Sequence, residues 1–286
     1  MDSTATTRIP TPGLKQPVRV AHLTDAHIGL IADDDPHPDA ADMRDRIEGL
    51  KGKWGRDYES HLERLLRRAW DERVDAIFMT GDGIDFPTAA AIGAVRGLFG
   101  RSPCPVFFIS GNHDWTFTRQ EGTNLLRVAQ RPLIDSLYLG GRAVGFDGRD
   151  LAGLQVLSVD NSTYQIDAEQ LVFVRKGLEL GVPTVLLMHI PLEQPVLRER
   201  TVAFWRQPII MGAEFDPEIR RQWSVEEPVP ETAEFIELLR AAPNLHGIFC
   251  GHVHFGHEER LSATAMQYVG APCFEGGMRF FEFQPA

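Results

Sequence analysis

The chain has 286 residues and a mass of 32.0 kDa, enough for one large domain or two small ones. Hydrophobic residues make up 43% and charged residues 24% of it, as in ordinary globular proteins, so disordered and fibrous classes are excluded. Forty acidic against 29 basic residues give a formal charge of -11. That balance argues against a broad basic face of the kind that binds a long nucleic acid.

The three cysteines are Cys104, Cys250 and Cys273. An odd, sparse set without CxxC spacing provides no disulfide framework and predicts a reducing, cytoplasmic compartment. The apolar runs, such as 184–190, are far shorter than the roughly 20 residues that span a bilayer, and the N-terminus has no apolar signal segment. We therefore expect no membrane insertion, and no feature of the sequence specifies an oligomeric state.

The N-terminal segment 1–17 is rich in Thr and Pro and shows no hydrophobic period, so we expect a disordered leader before a single domain over 18–286. Short apolar runs bounded by turn residues follow it and are typical of strands buried on both faces. The predicted strands cover 18–24, 76–80, 105–110, 154–159, 184–189 and 247–250.

Amphipathic patterns lie between these strands. In 62–70 the apolar residues recur at i, i+3, i+4, i+7 and i+8, the spacing of one helix face. Alternating strands and helices indicate an α/β core with helices covering the sheet faces. At the end of the chain, 266–269 and 278–283 are interpreted as closing antiparallel strands. The predicted helices cover 62–70, 88–99, 167–180 and 231–242.

Two longer insertions interrupt this alternation, at about 31–56 and 191–230. Both would leave the C-terminal ends of strands, where open α/β sheets bind their ligands, so both are candidate lids. The first is acidic, and a solvated loop is the simpler interpretation. The second is rich in aromatic residues, which suit either a small local core or a wall of the substrate site.

Polar side chains follow five of the predicted strands directly. Carboxylate, imidazole and amide groups would thereby meet at one edge of the sheet. Short motifs occur by chance, since Asp-x-His is expected about 0.7 times in such a chain, and we interpret the copy at 35–37 as such a case. Gly-Asn-His-Asp at 111–114 is expected only about 0.001 times. The strand-end residues are Asp25, His27, Asp82, Asp85, Asn112, His113, His189, His252 and His254.

Two Asp carboxylates, one Asn amide and four imidazoles form a mixed oxygen and nitrogen set that suits Mn, Fe or Zn. Seven donors exceed the need of one tetrahedral zinc, whereas two metal ions are the usual arrangement for in-line phosphoryl displacement. We expect Asp82 to bridge them. Two carboxylates and two divalent ions together have a net charge of about +2. That charge would attract a phosphate even in an acidic protein.

The motifs DxH, GDxxD, GNHD, a lone His and GHxH, taken together, resemble the calcineurin-like metallophosphoesterase superfamily, from Val18 onward. The resemblance implies a four-layer α/β/β/α sandwich with two central mixed sheets and a dinuclear metal site at the strand C-terminal ends. It implies metal-dependent hydrolysis of phosphate esters. The implied ligands are Asp25, His27, Asp82 and His254 for one metal, and Asp82, Asn112, His189 and His252 for the other.

The resemblance also implies catalytic roles for His113 and Asp85. A hydroxide that bridges the metals would attack phosphorus, while His113 donates a proton to the leaving group or stabilises the phosphate. Asp85 would orient His113. The substrate would be a small phosphate ester, including a nucleotide or a cyclic nucleotide.

Departures from the family patterns narrow this choice. Asp85 stands where purple acid phosphatases have an iron-binding Tyr, which argues against an enzyme of that type. Ser/Thr protein phosphatases have Arg-Gly-Asn-His-Glu, whereas Ser110 and Asp114 flank Gly-Asn-His here, so that branch also fits poorly. The pattern is more similar to bacterial phosphodiesterases, including those that act on cyclic nucleotides. The roughly 60 residues between His189 and His252, however, form a longer segment than the cyclic-nucleotide group has.

We expect a phosphodiesterase because no Arg cluster lies near the motifs to clamp a dianionic monoester. Arg44, Arg142 or Arg206 could still approach in space. A phosphomonoesterase with the same metal ligands remains an alternative, and so does a non-catalytic binding module with this fold.

Three further features have simpler interpretations. His22 is expected to be a core or supporting histidine, and Cys250 a small buried apolar residue. The segment 160–162 either touches the site or caps a turn.

Overall fold

The structure, a computed structural model, describes residues 6–54, 58–138 and 145–286. Within these ranges the strands form two sheets, and helices lie on the outer face of each sheet. The strands are β1 (Thr6–Thr11), β2 (Val18–Leu23), β3 (Ala76–Thr80), β4 (Val106–Ile109), β5 (Phe146–Leu151), β6 (Leu154–Val159), β7 (Thr184–Leu187), β8 (Leu245–Cys250), β9 (His257–Arg260), β10 (Met266–Val269) and β11 (Arg279–Pro285). The helices are α1 (Ala40–Trp54), α2 (Tyr58–Asp71), α3 (Ala89–Gly100), α4 (Asn124–Gln130), α5 (Ala168–Glu179), α6 (Pro195–Trp205), α7 (Pro217–Gln222) and α8 (Pro230–Ala241), with 3-10 turns at Arg131–Leu137 and Cys273–Glu275.

Both sheets are mixed, with a parallel centre. The first has the order β1-β11-β2-β3-β4, in which β2, β3 and β4 run parallel. The second has the order β5-β6-β7-β8-β10-β9, with β6, β7, β8 and β10 parallel. The C-terminal ends of the parallel strands therefore lie at one edge of each sheet.

Aromatic side chains fill the space between the two sheets. The Phe249 ring of β8 lies 5.3 Å from Phe78 of β3 and 4.9 Å from Phe281 of β11, each with its ring plane turned edge-on. All three side chains are fully buried, and truncating one of them to Ala would cost about 3–5 kcal/mol of stability. This inner layer holds the two sheets face to face.

The outer layers are helical, which confirms the predicted four-layer α/β/β/α sandwich. Helices α2 and α3 pack on the first sheet, and α5 and α8 pack on the second. The periodic face of 62–70 lies within α2, and the other three predicted helices form α3, α5 and α8. Helix α5 begins with a capping box, in which Asp167 accepts from the backbone of Gln170 and Gln170 bonds back to Asp167.

The predicted disordered leader is wrong for residues 6–11, which form β1; residues 1–5 lie outside the described part. Strand β1 pairs in parallel with β11, and Ile9 and Thr11 are buried there. The reason is the partner strand, because β11 satisfies the backbone of a segment that has no hydrophobic period of its own.

The closing strands are only partly antiparallel as predicted. Strand β11 is antiparallel to β2 but parallel to β1, while β10 is antiparallel to β9 and parallel to β8. The parallel neighbour of β11 comes from the other end of the described chain, whereas that of β10 is the strand just before β9.

Both insertions contain helices. The acidic segment includes α1, so a solvated loop is the wrong description for 40–54, and residues 55 and 56 lie outside the described part. The aromatic segment includes α6 and α7, and its residues 209–211 are buried against the second sheet. Among the described residues, no helix combines the length and the apolar character needed to cross a membrane.

Candidate metal centre

The predicted strand-end residues converge where the edges of the two sheets meet. Strands β2, β3 and β4 of the first sheet and β7 and β8 of the second end at this place. In three groups the donor atoms lie within 4.8 Å of one another. The groups are Asp25 with His27 and His254, Asp82 with His189 and His252, and His27 with Asp85 and His113.

Backbone strain is concentrated at these residues. A left-handed backbone costs about 1–2 kcal/mol for a residue other than Gly, and such strain persists where the surrounding structure imposes it, often at functional sites. Five of the seven predicted ligands have this conformation. They are Asp25 (φ 53°), His27 (φ 46°), Asp82 (φ 50°), His252 (φ 71°) and His254 (φ 57°).

The glycines that precede three of the ligands leave no room for a side chain. A Cβ added at Gly81 would lie within 3.0 Å of the His189 ring, and one at Gly111 within 3.0 Å of Asp82. A Cβ at Gly251 would meet Thr24 at a similar distance. The glycine in each GD, GN and GH motif is thus required by the close approach of neighbouring loops.

In the first group two imidazoles point the same type of nitrogen at each other. The Nε2 atoms of His27 and His254 are 3.1 Å apart, and Asp25 Oδ1 lies 3.8 Å and 3.4 Å from them. His27 Nδ1 lies 3.0 Å from Asp85 Oδ1. A neutral His27 that donates from Nδ1 would therefore present the lone pair of Nε2 to the centre of the group.

The second group has the same character. His189 Nδ1 donates to the backbone carbonyl of Thr80 over 2.7 Å, which directs Nε2 into the site. That Nε2 lies 3.1 Å from Asp82 Oδ2 and is buried without a hydrogen bond. Asn112 Oδ1 is likewise buried and accepts no hydrogen bond. Unpartnered buried acceptors of this kind fit the coordination of cations.

Asp82 links the two groups, as a bridging ligand must. Its Oδ2 lies 3.5 Å from His27 Nε2 and 3.1 Å from His189 Nε2. Its Oδ1 accepts from the backbone N–H of His113 over 2.9 Å. One carboxylate oxygen is thereby held by the protein, and the other faces ligands of both groups.

The pKa values show how much uncompensated negative charge this site contains. Burial lowers the pKa of His27, but the carboxylates of Asp25, Asp85 and Asp82 outweigh burial and raise it to about 10. Burial also lowers the pKa of His189, and Asp82 more than offsets it, raising the pKa to about 9. The raised pKa values mean that the carboxylates favour positive charge on these rings. Divalent ions would supply that positive charge instead of protons, so the donor set fits two of them.

Asp114 connects the loops that follow β3 and β4. Its carboxylate accepts from the backbone N–H groups of Asp82, Gly111 and Ile84 at 2.7–2.9 Å. Burial and the neighbouring charge of Asp82 raise the pKa of Asp114 to about 7. The last residue of the Gly-Asn-His-Asp motif therefore joins two of the ligand loops.

The two predicted catalytic residues lie next to each other. His113 Nδ1 is 3.2 Å from Asp85 Oδ1 and 3.3 Å from the backbone carbonyl of Asp85, and the side chain of Asp85 is fully buried. Burial raises the pKa of Asp85, but hydrogen bonds from Arg46, His113 and His27 hold it well below its usual range. The contact with Arg46, which lies in α1, has no counterpart in the motifs.

A pocket of about 340 Å³ opens beside His113. His113, Asn112 and Asp85 line it together with Trp115 and with Trp223 of the aromatic insertion. The interpretation of that insertion as a wall of the site is thus supported for Trp223, whereas Phe215 packs on the ring of Tyr164 at 5.5 Å. Of the cations considered for the site, Arg44 is bonded to backbone carbonyls of Ala32 and Asp33, and Arg142 lies outside the described residues.

Two supporting residues belong to no ligand motif, and one of them, Tyr164, was missed. The hydroxyl of Tyr164 lies 2.8 Å from His252 Nε2, which leaves Nδ1 of that ring for the site. Asn161 accepts from the backbone N–H groups of His189 and Ile190 and donates to the carbonyl of Ile190. The only signal was their place after β6, another strand that ends at the same edge.

The structure agrees with the simpler interpretations of 160–162, His22 and Cys250. The segment 160–162 has both suggested roles, because Asn161 supports the site and Asp160 accepts from the backbone of Ser162 in a turn. His22 lies outside the donor groups and is bonded to Thr80 Oγ1 over 2.8 Å. Cys250 is buried among apolar residues, and burial raises its pKa.

A sandwich with this strand-edge site defines a metallophosphoesterase. The model of the calcineurin-like phosphoesterase family matches residues 18–256, and the chain belongs to this family. Members are metal-dependent phosphoric ester hydrolases with two metal ions. Among curated proteins, no significant match to the sequence is found.

Two solved structures show the same fold. A dimetal phosphatase from Danio rerio is 12% identical with a TM-score of 0.56, and the alignment covers 91% of this chain and 89% of that one. A purple acid phosphatase from yellow lupin (Lupinus luteus) seeds is 15% identical with a TM-score of 0.53. That alignment covers 94% of this chain but 46% of the lupin protein, so this chain spans less than half of its length.

Proposed function

We propose that this protein is a phosphodiesterase that uses two divalent ions of Mn, Fe or Zn. The observation that carries the proposal is the pair of donor groups that share Asp82 beside the His113 pocket. When bound, the two ions would lower the pKa of a water molecule and neutralise charge on the phosphoryl oxygens. Asp25, His27, Asp82 and His254 would hold one ion, and Asp82, Asn112, His189 and His252 the other.

His113 is the residue that we assign to the leaving group. Its Nδ1 faces Asp85, while its ring forms part of the pocket wall. The other ring nitrogen is the one to carry the proton that passes to the departing oxygen. Asp85 keeps the ring in one orientation through two contacts of Nδ1, one with its backbone carbonyl at 3.3 Å and one with its buried carboxylate at 3.2 Å.

The charges around the pocket support a diester rather than a monoester. Arg46 is the one Lys or Arg among its described lining residues, and its guanidinium is already bonded to both oxygens of Asp85. A dianionic monoester is best bound by a guanidinium that can offer two parallel N–H groups. The half-buried Trp223 instead offers apolar surface to a second ester substituent. A volume of about 340 Å³ suits a small ester, including a nucleotide or cyclic nucleotide.

A parallel assay tests this proposal. The purified protein, supplied with Mn²⁺, is offered bis(p-nitrophenyl) phosphate, p-nitrophenyl phosphate and 3′,5′-cyclic AMP, with Asp82→Ala as the blank. Circular dichroism of the blank checks that it is folded. We expect a higher kcat/KM for one of the diesters than for the monoester. A preference for the monoester would contradict the diesterase assignment, and no rate above the blank would contradict hydrolysis altogether.

A further inference from the structure

Helix α1 of the acidic insertion brings one guanidinium to the catalytic pair. Arg46 Nε donates to Asp85 Oδ2 over 2.5 Å, and Arg46 Nη2 donates to Asp85 Oδ1 over 2.8 Å. This is a bidentate pair, which fixes the plane of a carboxylate as well as neutralising it. The two residues are 39 positions apart in the chain.

The carboxylate that Arg46 holds is shared by two imidazoles. Asp85 Oδ1 lies 3.0 Å from His27 Nδ1 and 3.2 Å from His113 Nδ1, and His113 Nδ1 also donates to the backbone carbonyl of Asp85 over 3.3 Å. The side chain of Asp85 is fully buried, so water cannot supply alternative partners. Without the guanidinium, the carboxylate could rotate toward one imidazole and away from the other.

The helix itself is anchored beside this carboxylate. Met43 and Ile47, which flank Arg46 on α1, are buried in a small cluster with Phe86, the residue that follows Asp85. A group placed by a packed helix is positioned more accurately than one on a free loop. The packing of α1 therefore determines where the guanidinium meets the carboxylate.

We propose that Arg46 is a positioning residue for departure of the leaving group, acting through Asp85 on His113. The proposal rests on the hydrolytic function proposed above. Arg46 keeps the carboxylate in the plane where one oxygen serves both His27 and His113, so that His113 stays aligned with the departing oxygen. The acidic insertion thus contributes to turnover through one residue.

The test compares leaving groups of different quality. Phenolate departs less readily than p-nitrophenolate and needs a proton more, so a fault in the His113 step appears mainly with diphenyl phosphate. We expect Arg46→Met to lower kcat by about 10- to 100-fold on diphenyl phosphate, the usual effect of losing such a supporting contact. The loss on bis(p-nitrophenyl) phosphate should be several-fold smaller, with KM unchanged. Arg46→Lys should recover part of the lost kcat, because it restores the charge but not the bidentate geometry.

Arg44→Met is the matched control. Arg44 lies on the same helix and donates to the carbonyls of Ala32 and Asp33, with no bond to Asp85. Arg44→Met should keep the wild-type ratio of kcat on diphenyl phosphate to kcat on bis(p-nitrophenyl) phosphate. All variants are assayed at saturating Mn²⁺ with metal content measured, because His27 also contacts Asp85.

Three outcomes would overturn the proposal. The first is an Arg46→Met enzyme within twofold of wild type on both esters. The second is an equal loss on both esters that excess Mn²⁺ restores, which would place the effect on metal binding through His27. The third is a combined result: Arg46→Met does not fold, whereas Arg46→Lys folds and loses the same fraction of kcat on both esters.

Failure of the proposed diesterase function would be recognised separately, in the wild type. If the wild type prefers monoesters, the same comparison is made with phenyl phosphate and p-nitrophenyl phosphate. The role of Arg46 is then judged from the loss of kcat in Arg46→Met relative to wild type on each of these two monoesters. No wild-type hydrolysis of any of these four esters would overturn both proposals.

Discussion

Asp82 shows how a single side chain can join the two sheets. It comes from β3 of the first sheet, yet its Oδ2 faces His189 from β7 of the second. Burial raises its pKa, but the charges of His189 and His113 outweigh burial and hold the pKa far below its usual range. An ionised, buried carboxylate is stable only with cations close by, and the two proposed metal ions would supply them.

The role of His113 is tested by its removal. His113→Ala should retain two metal ions per chain, because the ring is not one of the seven proposed ligands. Turnover should fall by about 100-fold or more, the usual contribution of a positioned proton donor. The measurement is kcat on diphenyl phosphate with metal content by mass spectrometry. His61→Ala on α2 is the control, and full turnover of His113→Ala would contradict the assignment.

The hydroxyl of Tyr164 should strengthen metal binding through His252. Tyr164→Phe removes the 2.8 Å contact with His252 Nε2, so that ring loses its orienting partner. We expect the Mn²⁺ affinity to fall by about 10-fold or more while kcat at saturating Mn²⁺ stays near wild type. Tyr268→Phe is the control, because the Tyr268 ring packs on Phe249 and Phe281 and lies outside the donor groups. An unchanged Mn²⁺ titration of Tyr164→Phe would contradict the role of this hydroxyl.

At the level of elements, the ligands depend on sharp turns immediately after parallel strands. Gly111 follows the end of β4, and any side chain there would displace Asp82. By contrast, Gly93 lies in α3 with nothing within 4 Å of an added Cβ. The two glycines therefore have opposite expected responses to the same substitution.

Gly111→Ala should lower the free energy of unfolding by about 1–3 kcal/mol, the usual cost of overpacking, and abolish metal binding. Gly93→Ala should raise it by about 0.4–1 kcal/mol, because Ala restricts the unfolded chain and suits a helix. Urea denaturation of the metal-free proteins measures both. A Gly111→Ala protein with wild-type stability and metal content would show that the loop can move aside.

Elements with a local period were predictable, and those defined by distant partners were not. Helix α2 has its apolar face within 62–70, whereas β1 becomes a strand only through β11, more than 260 residues later. Helix α1 was missed for a similar reason. Its buried residues Met43 and Ile47 are few among acidic ones, and they pack on Phe86 from another segment.

For the whole molecule, the site was more predictable than its surroundings. The strand-end motifs identified the residues that the structure brings into three candidate donor groups, because parallel strands end at one edge whatever the loops do. Arg46 and Tyr164 could not be found in this way. Their partners, Asp85 and His252, are 39 and 88 positions away, and nothing in the local sequence indicates either contact.

Stability at acidic pH should depend on His22. Burial and then the charge of Arg279 lower the pKa of this ring from 6.5 to about 3, although Asp25 opposes them. The unfolded chain therefore takes up a proton below about pH 6.5 that the folded protein refuses, so stability falls as the pH drops toward 3. The slope from this residue is at most about 1.4 kcal/mol per pH unit.

His22→Phe removes that slope and keeps an aromatic ring beside Phe249. We expect the variant to gain stability relative to wild type steadily between pH 6 and pH 4, as measured by urea denaturation of the metal-free proteins. Parallel stability curves for the two proteins over this range would show that His22 is not the group responsible.

The stoichiometry of metal binding shows whether the site holds two ions. Mn²⁺ is titrated into the metal-free protein by calorimetry, with Asp82→Asn as a variant of equal size. We expect two ions per wild-type chain and marked weakening of both in the variant, since Asp82 faces both donor groups. Binding of one ion or none to the wild type, or two undisturbed sites in Asp82→Asn, would contradict this expectation.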